Sequence, residues 1–206
     1  MQLKPPFIHP RAIVEASIGM GTRVWANAHI MDGAIVGANC NIGEGVFIEK
    51  GAVVGDGCTI KNGVQLWDGV RLGDEVFVGP NATFTNVRRP RAFIKKERKE
   101  FLSTIVHTGT TIGANATILC GIEIGVYAFI AAASVVVKNV EPHALILGNP
   151  GRQVGRVCYC GENLMAEDFC ASCQCTLSLY KPNTFMGKLD CRGGEKNVPV
   201  LKTQSD

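Results

Sequence analysis

No apolar run in this chain approaches the length that crosses a bilayer, and its first ten residues, MQLKPPFIHP, contain neither a signal-peptide core nor a cleavage site. These absences predict a soluble cytoplasmic protein with no membrane partner. The apolar residues also lack the three-and-four spacing of an amphipathic helix. Few hairpin signals punctuate them, which argues against a β-sandwich. Nor is charge of one sign spread along the chain. The net charge is +3, but residues 88–100 alone hold seven basic and two acidic side chains, which leaves −2 for the remainder. A basic segment on a slightly acidic background is not a general nucleic-acid surface, and no nucleic-acid partner is expected. A length of 206 residues fits one main domain with a small appendage.

What the sequence has instead is a period of six. Ile18, Val24, Ile30, Val36, Ile42, Ile48, Val54, Ile60, Leu66, Leu72, Val78 and Phe84 keep the beat, and after an interruption Val106, Ile112, Ile118, Ile124, Ile130 and Val136 resume it. Two positions before these residues the chain is usually small, as at Ala16, Thr22, Ala28, Ala34, Cys40, Ala52, Cys58 and Ala82. Positions two apart on an extended segment face one side, so each hexad supplies a small and a large inward side chain. Glycine often follows the large residue, at Gly19, Gly37, Gly43, Gly55, Gly73, Gly79, Gly113 and Gly125. There it is expected to provide the tight or left-handed backbone of a corner. Short sides joined by corners and stacked on one another make an all-β fold, a parallel β-helix with a continuous apolar interior. Cys40 and Cys58 take the small inward position and are expected to be inert core thiols stacked on each other.

The hexads, together with VWANAHI (24–30), VFIEKGAVVGDGCTIKNGVQLWDGV (46–70), VFVGPNATFTNVRRPR (76–91), GANATILCGIEIGVYAFIAAASVVVKNV (113–140) and LGNPGR (147–152), carry a resemblance. The sequence resembles the hexapeptide-repeat family of left-handed β-helices, whose triangular coils are eighteen residues long and whose members are mostly trimeric acyltransferases. Over residues 8–156 it is similar to bacterial N-acetyltransferases of nucleotide-linked 3-amino sugars, with the UDP-2-acetamido-3-amino-2,3-dideoxy-glucuronate N-acetyltransferases nearest. The resemblance implies acetyl transfer from acetyl-CoA to the 3-amino group of a nucleotide-linked sugar, in the synthesis of surface polysaccharide such as lipopolysaccharide, by a homotrimer. The expected organisation is an acyltransferase domain over 1–156, with a loop insert at 87–104, and a cysteine-rich, zinc-ribbon-like tail over 157–206.

Eighteen residues per coil also predict which corners stack. Met31-Asp32-Gly33, Glu49-Lys50-Gly51, Trp67-Asp68-Gly69 and Thr85-Asn86-Val87 fall over one another, so Asp32, Lys50, Asp68 and Asn86 form a ladder on one edge. Corner polar residues are often merely solvated, and Asp32 and Lys50 read equally well that way. Asn86 stands where the insert leaves the coil and lies in the FTNVxxPR element that points to the amino-sugar branch. The resemblance makes Asn86 the catalytic positioning group, its side-chain carbonyl accepting a hydrogen bond from the attacking amine, with Asp68 as a second orienting residue. The rival is a histidine base, His107, in a corner with no visible partner. His29 is a candidate substrate contact. Arg88, Arg89 and Arg91 suit a diphosphate or a sugar carboxylate, while Lys95, Lys96, Arg98 and Lys99 are expected on a solvated face. Family membership would put acetyl-CoA in the groove between subunits, with backbone groups of Ala132 and Ala133 on the pantetheine and Lys138 and Arg152 at the phosphates. The ordinary alternatives are packing for the alanines and solvent for the charges.

After Arg156 the hexads end. Cys158, Cys160, Cys170 and Cys173 form a CxC…CxxC arrangement near that of four-thiolate zinc sites, although the first pair is short and the gap tight. Cys175 and Cys191 are alternates in the ligand set, and a tail of free thiols is the other reading. A γ-type carbonic anhydrase shares the β-helix but needs a histidine triad on zinc, which the four histidines here lack in spacing. A non-catalytic scaffold is the remaining class.

Overall fold

The computed structural model describes residues 4–177. Strands of two to four residues stack in parallel into three sheets, which form the faces of a triangular prism. The first face runs from Phe7–Ile8 through Arg23–Val24, Asn41–Ile42, Thr59–Ile60, Phe77–Val78, Thr111–Ile112 and Phe129–Ile130 to Ala144–Leu147, and the antiparallel strand Arg152–Arg156 closes it. The second holds Ile13–Val14, His29–Ile30, Phe47–Ile48, Gln65–Leu66, Thr83–Phe84, Thr117–Ile118 and Val135–Val136. The third holds Ile35–Val36, Val53–Val54, Val70–Leu72, Thr104–Val106 and Glu123–Ile124. This is the parallel β-helix that the period of six predicts.

The register confirms the coil length. His29 pairs with Phe47 and Phe47 with Gln65, each eighteen residues on. The inward side chains are those the hexad names: the large column from Val24 to Phe84 and from Val106 to Val136 is buried, as are Ala28, Ala34, Cys40, Ala52, Cys58 and Ala82 between its members. Cys40 and Cys58 lie in the core as expected, and each thiol donates to a glycine carbonyl of the next coil, at 3.1 Å to Gly55 and to Gly73 respectively. Thr22 and Thr110, in the same column, make the same bond with their hydroxyls, to Gly37 and Gly125. The hydrogen bond satisfies a polar group that would otherwise be buried without a partner.

The glycines that follow the large residues serve a purpose other than the expected one. The left-handed backbone falls two residues later, at positions such as Gly57, Asn81 and Tyr127. Gly55 instead permits close approach of the coils, since a Cβ there would lie 2.6 Å from the carbonyl carbon of Gly73 and 2.5 Å from the carboxylate of Asp74.

Across the interruption the register lengthens from eighteen to thirty-four, with Phe77 against Thr111 and Thr83 against Thr117. The insert therefore adds sixteen residues, and the coil stays in phase. The chain leaves the corner between the second and third faces after Asn86, and the Leu102 amide donates to the Asn86 carbonyl at 2.9 Å, closing the neck of the loop. Ser103 and Thr104 are already back in the coil, with Thr104 paired to Val70, so the insert ends earlier than the pattern of large residues suggests.

Candidate active site

The corner between the second and third faces carries Asp32, Lys50, Asp68 and Asn86 in one column. With the thirty-four-residue step, Cys120 and then Lys138 continue it above Asn86. Neighbouring corners hold Asn86 in place. The Trp67 indole donates to the Phe84 carbonyl at 2.9 Å, the Thr85 hydroxyl accepts from the Cys120 amide at 2.9 Å, and the Asn86 carbonyl accepts from Leu102. Main-chain freedom at Asn86 is thereby removed while its side chain stays half-buried.

Asp68 has a partner that the ladder alone does not reveal. Arg98, from the insert, sets its guanidinium on both carboxylate oxygens, with the second bond at 3.1 Å. The Asp68 amide in turn donates to Glu49 at 2.8 Å. A bidentate arginine–carboxylate pair has directional strength, and the hydrogen bonding to Asp68, helped by the charges of Asp68 and Glu49, pushes the Arg98 guanidinium pKa up. Arg98 stays solvent-exposed, as its sequence context predicts, but it is tied to the coil by a partner that the sequence does not reveal. Lys96 and Lys99 instead pair with Glu100 and Glu97, at 2.8 and 2.6 Å, and the Lys96 ammonium holds the Glu100 carboxyl below its ordinary range. Arg88, Arg89 and Arg91 are exposed on the loop.

The remaining candidates fall in three places. His29 lies on the second face, its ring edge-on to Phe47 at 5.5 Å and its Nε2 3.5 Å from Glu15. Ala132, Ala133 and Arg152 gather at the corner between the first and second faces, where Ala133 is left-handed and the Gly151 amide donates to Val135 at 2.7 Å. Lys138 stands on the opposite edge of the second face, in the Asn86 column. The second face is thus flanked by the candidate catalytic edge on one side and most of the candidate cofactor residues on the other.

His107 does have a partner. Its Nε2 lies 3.3 Å from Glu123, in a cleft of about 290 Å³ also lined by Gly125, Val126, Asn139 and Pro142. The Glu123 amide is held by Asn139 at 3.0 Å. The cleft lies across the third face, from Asn139, next to Lys138, to His107 and Pro142 at the corner with the first face. Sequence reasoning missed the pair because Glu123 precedes a core position and looks like any outward residue of the hexad.

Four thiols of the tail, those of Cys158, Cys160, Cys170 and Cys173, come together with every Sγ within 4.8 Å of the others. Cys191 lies outside the described residues.

With this geometry established, comparison with known proteins gives a consistent result. Residues 15–50 and 51–86 match the family described as bacterial transferase hexapeptide (six repeats), and residues 104–138 match the hexapeptide repeat of succinyl-transferase. The chain belongs to the hexapeptide-repeat acetyltransferases. It is 46% identical over 170 residues to a dTDP-3-amino-3,6-dideoxy-α-D-galactopyranose 3-N-acetyltransferase of Aneurinibacillus thermoaerophilus, a match that covers 82% of this chain and 88% of the relative. A probable macrolide acetyltransferase of Lysinibacillus sphaericus is 47% identical over only 49 residues, 24% of this chain and 27% of that protein. Among solved structures, the acetyltransferase domain of PglB from Neisseria gonorrhoeae FA1090 in complex with acetyl coenzyme A shares the fold, with a TM-score of 0.52 at 21% identity over 74% of this chain and 58% of that one. No helix among the described residues is long and apolar enough to cross a membrane.

Proposed function

We propose that the protein transfers an acetyl group from acetyl-CoA to the 3-amino group of a nucleotide-linked amino sugar, and that it works in the cytoplasm as a homotrimer in the synthesis of surface polysaccharide, including lipopolysaccharide. The observation that carries the assignment is Asn86, pinned at the neck of the insert and aligned with Asp68 and Lys138 on one edge. The relative's printed activity on a dTDP-linked 3-amino sugar supports the substrate class.

In this reading the neutral amine attacks the thioester carbonyl carbon, the C–N bond forms, the C–S bond breaks, and the departing CoA thiolate takes the amine proton. Electron-withdrawing substituents on the sugar place the amine's pKa below that of lysine, so no strong base is required. The Asn86 side-chain carbonyl accepts a hydrogen bond from the attacking N–H and directs the lone pair. Positioning of this kind draws on the roughly 7–11 kcal/mol available from near-attack geometry. Asp68, fixed by Arg98, supports the neighbouring rung. Arg88, Arg89 and Arg91 bind the diphosphate or a sugar carboxylate, and His29 contacts the substrate. Ala132 and Ala133 offer backbone groups to the pantetheine, with Lys138 and Arg152 at the CoA phosphates.

Trimerisation supplies a second wall to each site. Phe93, 82% exposed, and Ile94 sit at the tip of an otherwise charged loop, which suits a loop that reaches over a neighbouring subunit. A second reading has its own observation: His107 oriented by Glu123 in a cleft is the arrangement of a general base with its positioning carboxylate.

The experiment is a thiol-release assay with acetyl-CoA over a panel of UDP- and dTDP-linked 3-amino sugars. Turnover with at least one of them is expected. No turnover with any of them, together with no measurable CoA binding, leaves a scaffold and ends the assignment.

A further inference from the structure

Beyond the acyl-transfer site, the C-terminal segment holds a constellation that the transfer does not use. Cys158 and Cys160 lie on one tight turn, where the Gly161 amide donates to the Cys158 carbonyl at 2.9 Å and Gly161 is left-handed. Cys170 and Cys173 lie on a second, where the Gln174 amide donates to the Cys170 carbonyl at 2.8 Å. Val157 bridges Asn163 in antiparallel fashion, and Phe169–Cys170 pairs with Cys175–Thr176. Two such turns face each other and point four sulfurs at one centre.

The spacing of the sulfurs discriminates between outcomes. A disulfide needs about 2.05 Å between them. A tetrahedral ZnS₄ centre with bonds of about 2.3 Å separates its sulfurs by about 3.8 Å. The Cys158–Cys173 separation is 3.9 Å, the Cys160–Cys170 separation 3.7 Å, and no pair exceeds 4.8 Å. Cys158 and Cys170 are buried, which shields the centre on one side.

We infer that Cys158, Cys160, Cys170 and Cys173 bind one zinc ion as four thiolates, and that the metal-bound knuckle is the end cap of the β-helix. The four thiols release four protons on loading. A solenoid needs a cap because its last coil otherwise exposes an unpaired edge and the open end of the core. The contacts that dock the knuckle on the last coils run through residues between and beside the ligands. Tyr159, between Cys158 and Cys160, sets its ring edge-on to Tyr127 at 4.6 Å and to His143 at 4.8 Å. The Val157 amide donates to the His143 carbonyl at 2.8 Å, and Arg156 pairs with Asp168. The assignment does not depend on the acyl acceptor.

The test uses the full chain purified with a thiol reductant and without added metal. Elemental analysis should find one zinc per chain, and a thiol-blocking reagent should release it as four thiols react. Cys158→Ser and Cys173→Ser should lose it, while Cys40→Ser and Cys175→Ser keep it. Should the first two variants fail to fold, cobalt substitution of the wild-type protein gives an independent readout, since four thiolates around Co²⁺ give a tetrahedral absorption spectrum with sulfur-to-metal charge transfer. Metal-free protein with freely reactive thiols, loss of zinc in Cys175→Ser, or a cobalt spectrum without thiolate character would each overturn the site. For the cap, stripping the metal should speed amide exchange in residues 144–156 while the coils below Phe84 stay protected, and unchanged exchange at 144–156 would overturn that role.

Discussion

Arg98 and Asp68 are thirty residues apart in sequence, yet the guanidinium from the insert rests on both oxygens of a carboxylate in the coil wall. This pair is the point at which the loop is tied back to the candidate catalytic edge. Arg98→Gln should loosen the loop and raise KM for the sugar nucleotide by about two- to fivefold, a modest change because the ion pair is exposed to solvent. The difference from wild type should shrink as salt is added. Steady-state kinetics at low and high ionic strength check it, and an unchanged KM at low salt means that the loop holds its place without the pair.

Asn86→Ala should lower kcat by about a hundredfold, the scale of lost positioning, and leave CoA affinity near the wild-type value. A change confined to KM would make Asn86 a uniform-binding group. The same measurement on His107→Ala decides between the two chemical readings, because damage there greater than at Asn86 would give the proton to the His107–Glu123 pair.

Gly55→Ala is a test of the coil stacking. The added Cβ meets the Gly73 backbone and the Asp74 carboxylate, and overpacking of that kind costs about 1–3 kcal/mol. Chemical denaturation should show the loss, and a neutral result would mean that neighbouring coils separate more easily than the close approach implies.

How much of this was visible in the sequence depends on the range of the interaction. Each hexad repeats one local environment, so the inward residues from Val24 to Val136, the coil length and the stacking of Cys40 on Cys58 are all legible from spacing alone. The step from Phe84 to Val106 is twenty-two residues, one hexad plus the sixteen of the insert, so the beat slips in sequence while the coil stays in phase; only the thirty-four-residue pairing makes it evident that Lys138 falls into the Asn86 column. What spacing cannot encode is where a non-repeating segment folds. Arg98 looks like its basic neighbours until the loop brings it to Asp68, and the His107–Glu123 contact joins two outward residues of successive coils that the pattern leaves unspecified. The role of Gly55 was misread for a related reason, because a glycine in sequence does not reveal whether φ or a neighbouring backbone demands it.

Assembly offers a separate check. Flat faces made of two-residue strands bury little against solvent, and the proposed site has a wall from the neighbouring subunit. Sedimentation at micromolar concentration should report three chains, and Phe93→Asp should shift the equilibrium toward monomer with a parallel loss of activity. A monomer with full activity would remove the shared wall.

The insert itself can be removed without disturbing phase. Because it adds sixteen residues and its neck is closed by the Leu102–Asn86 hydrogen bond, deleting residues 87–102 should join Asn86 to Ser103 and restore an eighteen-residue coil. A loop extruded from a regular scaffold is where binding specificity concentrates, and this one carries Arg88, Arg89 and Arg91, whose planar guanidinium groups match phosphate and carboxylate oxygens. The deletion variant should keep its cooperative unfolding and its CoA affinity and lose most of its affinity for the sugar nucleotide. Single Arg→Gln changes at the three positions should raise KM for the sugar nucleotide in at least one case and leave CoA binding alone. Isothermal titration with each substrate, alongside a denaturation curve, separates these effects. If the shortened chain folds and binds the sugar nucleotide as the wild type does, the loop is not the wall of the site, and the anion-binding role passes from these arginines to the coil.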